Sequence, residues 1–210
     1  MKTLVFSSSA TVYGAPQYLP IDESHPTNPT NPYGRTKLYI EEILRDLSKS
    51  DPEWRIICLR YFNPVGAHES GLIGESPNGI PNNLMPYIVQ VGCRIMPYLN
   101  IYGGDYPTHD GTGVRDYIHV MDLGEGHSTA LQFLGSFVGI EYFNLGTGRG
   151  TSVLDLITAY RAVSGQDVPY QITSRRIGDI AVCYASCDKS KEISWSAKRG
   201  INEMCSSAWK

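Results

Sequence analysis

The order of β-rich and helical segments at the start of the chain constrains its fold more than any other feature. Thr3-Leu4-Val5-Phe6 is an apolar run that gives way to the hydroxyl-rich Ser7-Ser8-Ser9-Ala10-Thr11-Val12-Tyr13-Gly14. Asn31-Pro32-Tyr33 then opens a helix, with Pro32 near its first position and apolar residues recurring at Tyr33, Ile40, Leu44 and Leu47. That helix runs to about Ser48 or Lys49. Asp51-Pro52 breaks it, and Arg55-Ile56-Ile57-Cys58-Leu59-Arg60-Tyr61-Phe62 follows as a second β-rich run. Strand, helix, strand in this order predicts parallel strands joined by crossovers. In open α/β sheets ligands lie beyond the carboxyl ends of the strands. Ser7 to Thr11 and Tyr61-Phe62-Asn63 both stand at such ends, so they belong to one functional edge.

The later chain reads less regularly. Residues 15 to 31 carry Pro16, Pro20, Pro26 and Pro29, which predict an ordered surface loop. From Pro64 to about Thr112 Gly, Pro and Asn abound, and only Leu84 to Val91 is periodic. This predicts an irregular lobe covering a pocket. A short strand is expected at Asp116 to Val120, and a helix over Met121 to Leu134 capped by Asp122. Glu141 to Leu145 reads as strand, Val153 to Ser164 as helix and Val168 to Thr173 as strand. Glu192 to Lys210 has an amphipathic pattern around Trp195, Ile201, Met204 and Trp209. Gly146-Thr147-Gly148-Arg149-Gly150-Thr151 tempts a dinucleotide-binding reading, but Thr151 stands where the fingerprint needs glycine. A glycine turn with Thr151 or Ser152 as helix cap is the expectation.

Charge and cysteine usage exclude several classes. A net charge of -3 gives no reason to expect nucleic acid or an anionic membrane. No apolar run approaches the ~18 to 20 residues that span a bilayer. Ser7-Ser8-Ser9 ends the first apolar run too early for a signal peptide. The five cysteines are scattered and odd in number, which predicts reduced thiols in a cytoplasmic protein. Cys183 and Cys187 form the one close pair, with no histidine at ligand spacing, so no metal site is expected.

Chemistry enters with Tyr33 and Lys37. Residues four apart on a helix share a face, so the phenol and the ammonium converge. A phenol titrates near pH ~10 and is a poor base at neutral pH; a cation within a few ångströms stabilises its phenolate. The serine run stands 24 residues before Tyr33. A serine there could hydrogen-bond the hydroxyl that the tyrosine deprotonates, although a Ser/Thr turn serving its own backbone is the plainer alternative.

With both elements present, the stretch resembles the Ser-Tyr-Lys site of the extended short-chain dehydrogenase/reductases. Together with Leu59–His68, Gly79–Tyr87 and Asp110–Val120, it resembles the UDP-glucose 4-epimerase family within them, in order along nearly the whole chain. The resemblance implies inversion at C4 of a UDP-hexose through tightly bound NAD, an isomerase of galactose metabolism. In that scheme Tyr33 removes the 4-hydroxyl proton while hydride passes to the nicotinamide and later returns to the other face of the 4-keto sugar. Ser9 would hydrogen-bond the 4-oxygen, and Lys37 would hold the nicotinamide ribose and favour the phenolate. Ser7, Ser8, Tyr61 and Phe62 would line the cofactor side. Thr11, Asn63 and Tyr117 would contact the sugar nucleotide, Asn83, Arg115 and Arg176 its diphosphate, and Asp179 the uridine ribose. Asn100, Ile101 and Tyr102 would flank uracil.

The resemblance also implies an α/β fold, a partial doubly wound Rossmann-type parallel sheet with a smaller irregular α/β substrate-binding lobe. Residues 1–63 would be the C-terminal part of the NAD-binding domain. Residues 64–210 would bind UDP-sugar, with 115–147 packing back on the first sheet. A homodimer through helices that include the Tyr33 helix is implied too. Against the family pattern, the chain reads as a fragment or short form without the glycine-rich opening third. Gln90–Pro97 lacks the usual paired arginines, and Ile177 replaces an acidic residue. Cys183, where relatives carry tyrosine or a small residue, implies room for UDP-N-acetylhexosamines. A related sugar-nucleotide dehydratase or decarboxylase is the alternative within the superfamily, and Ala10-Thr11 in place of an acidic pair disfavours dehydration. A catalytically silent module that binds UDP-sugar or a full-length partner is the reading from another class.

Overall fold

The structure, a computed structural model, describes residues 2–210. Its elements in chain order begin with β1 (Thr3–Ser7), α1 (Pro32–Ser50), β2 (Arg55–Tyr61), β3 (Asn63–Val65), α2 (Leu84–Gly92) and β4 (Leu99–Tyr102). They continue with β5 (Val114–His119), α3 (Val120–Phe133), β6 (Gly139–Leu145), β7 (Gly150–Ser152) and α4 (Val153–Ser164), and end with β8 (Tyr170–Thr173), β9 (Val182–Cys183) and α5 (Ile201–Trp209). The first sheet is β1-β2-β6, parallel throughout, with Ser7 opposite Leu59 and Tyr61 opposite Leu145. Its central strand β2 is buried from Ile56 to Arg60, which is why it reads as an unbroken apolar run rather than an alternating one. Ile57, Leu59, Phe143 and Leu145 pack with Ala130 of α3 in one cluster, and Ile56 and Cys58 pack with Leu44 of α1 in another. Helices therefore cover both faces of the sheet, as the expected α/β architecture requires.

Smaller mixed sheets complete the molecule. β3 and β9 run parallel to β5, β7 runs antiparallel to it, and β4 pairs with β8. A separate core of Ile88, Val91, Leu99, Ile101, Leu156, Tyr160 and Met204 joins α2, α4 and α5. Of the stretch expected to return to the first sheet, β6 joins it and α3 packs on it, whereas β5 pairs with β3, β7 and β9.

Several expectations need correction. Of the stripe Tyr33, Ile40, Leu44 and Leu47, Leu44 and Leu47 pack on the sheet as expected, whereas Tyr33 and Ile40 are exposed and Gly34, Glu41 and Ser48 are buried instead. The reason lies at Gly34, where an added Cβ would come 2.6 Å from the Thr11 carbonyl oxygen. Glycine lets the helix start press on the serine turn. The cap of α3 is His119, whose Nδ1 accepts from Met121 N at 3.0 Å. Asp122 is instead buried in the first turn, where it accepts from the backbone amides of Lys198 and Arg199. The 15–31 loop is not confined to the surface: Ile21 is fully buried and bridges to Ala185. The glycine turn after β6 ends as expected, with Ser152 and Asp155 forming a capping box on α4.

Candidate active site

Ser9 sits at the end of β1 and caps the short turn Ala10–Val12. Its Oγ accepts from Thr11 N at 3.3 Å and from Thr11 Oγ1 at 3.0 Å, so its own proton remains free to donate outward. Lys37, half-buried on α1, donates from Nζ to the Ser7 carbonyl at 2.8 Å and lies 5.6 Å from the Tyr33 ring centroid and 5.2 Å from that of Phe6. Ser7 Oγ meets His127 Nε2 at 2.8 Å. Ser8 is buried and donates to Glu41, so it faces the protein and not a ligand.

At the end of β2, burial pushes the Tyr61 phenol above its ordinary value, and the neighbouring Tyr33 phenol adds to this. Next to it in the chain, Phe62 is buried against Ala10 and Val12. The lysine ammonium and the exposed phenol stand together on α1, groups of the kind that suit the nicotinamide-ribose end of NAD. The turn at Gly146–Gly150 offers no phosphate cradle: its Thr147 and Gly148 amides already donate to the buried Asp116 carboxylate at 2.8 and 3.0 Å.

Two residues beyond Tyr61, Asn63 enters a cavity of about 480 Å³. Asn83, Asn100, Ile101, Tyr102, Arg115, Tyr117, Arg176 and Asp179 line it too. Ser9, Thr11 and Cys183 do not. Cys183 lies opposite Arg115 on the adjacent strand β9, and burial pushes its thiol up to about 11 despite that guanidinium. Asn83 is the N-cap residue of α2 yet makes no capping bond; its amide reaches Glu75 at 3.4 Å. Asn83 and the amide end of α2 therefore both present donors to the cavity. Arg176 stacks 4.7 Å over Tyr102, and its fork is engaged by Asp179 at 2.8 and 3.2 Å. Sequence reasoning missed Tyr87, Tyr106 and Val153 on the cavity wall. Tyr87 lies inside a motif already singled out, and Tyr106 follows the Asn100–Tyr102 strand by four residues. Val153 carried no signal. His109, Asp110 and Asp155 bring ligand atoms within 4.8 Å of one another, but Asp155 caps α4 and Asp110 accepts from Ser152.

The chain is similar to known proteins along its whole length. UDP-glucose 4-epimerase of Bacillus subtilis is 57% identical over 211 residues, covering 100% of this chain and 62% of its own length. The crystal structure of the Stenotrophomonas maltophila enzyme with bound NAD and formylated UDP-arabinopyranose has a TM-score of 0.97 at 50% identity, covering 100% of this chain and 62% of that one. The Bifidobacterium longum UDP-glucose 4-epimerase in complex with NAD+ and UDP has a TM-score of 0.95 at 52% identity, with 99% and 62% covered. The chain thus spans about three fifths of the length of the relatives it matches. The profile of the NAD dependent epimerase/dehydratase family matches residues 1–146, more than two thirds of the 210 residues, and the chain belongs to that family.

Proposed function

We propose that the protein is an NAD-dependent UDP-glucose 4-epimerase that inverts C4 of UDP-hexoses, as its relatives are named to do. One observation carries the reading. Lys37 is held on the Ser7 carbonyl, Ser7 pairs with Leu59 near the end of β2, and four residues further on Asn63 enters the cavity that Arg115 and Arg176 line. A proton-transfer site and an anion-binding site therefore adjoin across the end of β2. NAD, when bound, supplies reversible oxidation at the sugar carbon. Proton handling falls to this chain: Tyr33 Oη takes the 4-hydroxyl proton and returns it, Lys37 stabilises the phenolate, and Ser9 donates to the 4-oxygen.

The nucleotide end needs fixed donors remote from C4, so that the sugar can turn while UDP stays held. Arg115 and Arg176 suit the diphosphate because a guanidinium binds phosphate bidentately; Arg176 would exchange Asp179 for it. Asn83 would exchange Glu75 for the diphosphate, Asn100, Ile101 and Tyr102 flank uracil, and Asp179 meets the ribose. Asn63, Tyr117 and Thr11 complete the sugar side, and Ser7, Tyr61 and Phe62 the cofactor side. Residues 1–63 are read as belonging to the NAD domain and 64–210 to the UDP-sugar domain. Five unpaired cysteines among the described residues favour a cytoplasmic setting. Tyr39, Ile40 and Ile43 form an exposed apolar stripe on α1, the surface proposed to pair two copies.

The test is turnover of UDP-galactose to UDP-glucose by the purified chain with added NAD, with UDP-GalNAc as a second substrate. The side chain of Cys183 is small, and both substrates should be converted. Conversion of UDP-galactose alone sinks the N-acetylhexosamine reading. UDP binding with no turnover of either, even with NAD present, favours the silent module instead.

A further inference from the structure

Beneath the serine run lies a buried ionic cluster that this chemistry does not use. Glu41 on α1 and Arg60 on β2 are 1% and 5% exposed. Arg60 donates from Nη2 to Glu41 Oε2 at 2.7 Å and from Nε to Oε1 at 3.0 Å. Its Nη1 donates to the Tyr13 hydroxyl at 3.2 Å and the Glu23 carbonyl at 3.4 Å. The Tyr13 and Tyr142 rings lie against the guanidinium, 4.9 and 4.5 Å away. Arg60 has no room left for a ligand. Glu41 accepts one further bond, from Ser8 Oγ at 2.5 Å.

Ser8 is the middle residue of the run whose neighbours carry the chemistry: Ser7 holds Lys37 by its carbonyl, and Ser9 keeps a free proton. Glu41 lies one helical turn after Lys37, on the same inner face of α1. The helix thus meets the run at three successive points: Gly34 against Thr11, Lys37 on Ser7 and Glu41 on Ser8. A buried ion pair is costly to desolvate, and well-packed apolar residues of similar volume are often at least as stable. Stability alone therefore does not account for a charge pair here, whereas a directional grip on Ser8 does.

We propose that Ser8, Glu41 and Arg60 are positioning residues that fix the gap between Ser9 and the Tyr33–Lys37 pair. The inference rests on the reading of those three as the reacting site. Its test uses the full chain with Ser8→Ala and with the double variant Glu41→Met/Arg60→Met, which leaves no unpaired buried ion. Each is compared with wild type by thermal unfolding, by amide exchange over residues 9–13, and by kcat, KM and the pH profile for UDP-galactose with NAD. Both variants should melt cooperatively near wild type and exchange faster over 9–13. Their kcat should fall about tenfold or more with KM little changed, since a small misplacement of reacting groups is costly. Unchanged exchange and kcat overturn the proposal, and so does a kcat loss that merely tracks loss of folded protein. If the wild type shows no turnover, the functional reading fails and exchange over 9–13 alone decides the positioning. Should the double variant not fold, Ser8→Ala decides by itself.

Discussion

The direction of one hydroxyl proton reconciles the two readings of Ser9. Ser9 Oγ accepts from Thr11 N and Thr11 Oγ1, so the turn reading holds, and it leaves the hydroxyl proton to donate elsewhere, which the substrate-contact reading needs. Tyr33 differs in kind, because it is exposed and outside the arginine-lined cavity. Tyr33→Phe should therefore lower kcat by ~10² to 10⁴, the usual share of general acid–base catalysis, and leave UDP affinity unchanged in calorimetry. A variant that turned over normally would remove Tyr33 from the mechanism. The types and positions of these residues were legible in the sequence, since Tyr-x-x-x-Lys and a serine run are short local patterns. The engagement of Arg176 by Asp179 was not: three residues of spacing cannot say whether a guanidinium meets a neighbour or a ligand.

At the scale of elements, α1 shows both the reach and the limit of pattern reading. Pro32 near the helix start and the break at Asp51-Pro52 fixed its extent, which the structure gives as Pro32–Ser50. The choice of inner face was partly misread because a buried Gly and a buried Glu look like surface residues until Thr11 and Arg60 are in place. β3, β4, β7 and β9 are two to four residues long, too short to carry a period, so the pattern did not reveal them. The misread face has a consequence for assembly, because it leaves Tyr39, Ile40 and Ile43 pointing to solvent. Ile43→Glu should turn a dimer into a monomer in sedimentation velocity; if wild type and variant sediment alike, the stripe has another role.

Over the whole molecule, His119 joins regions distant in sequence. It caps α3 through Nδ1, while Nε2 meets Ser207 of α5 at 2.9 Å. Burial, with nearby Arg199 adding to it, holds this imidazole below the ordinary 6.5 against the opposing pull of Asp122, Glu203 and Glu125. The unfolded chain then takes up a proton first as pH falls, so this part of the stability is present above about pH 6.5 and is lost on acidification toward the depressed value. His119→Asn keeps a capping oxygen but cannot take up that proton. Its melting temperature should decline less steeply below pH 6.5 than that of wild type, and identical slopes would remove His119 as the cause. Finally, α1 is a rod of 19 residues, about 28 Å long, which meets the serine turn at Gly34, Lys37 and Glu41, at or before its midpoint. Beyond them Leu44 and Ser48 are buried, and Lys2, just ahead of β1, grips the C-cap residue Asp51, so both ends of the rod are tethered to the same strand and a strain at one end reaches the other along it.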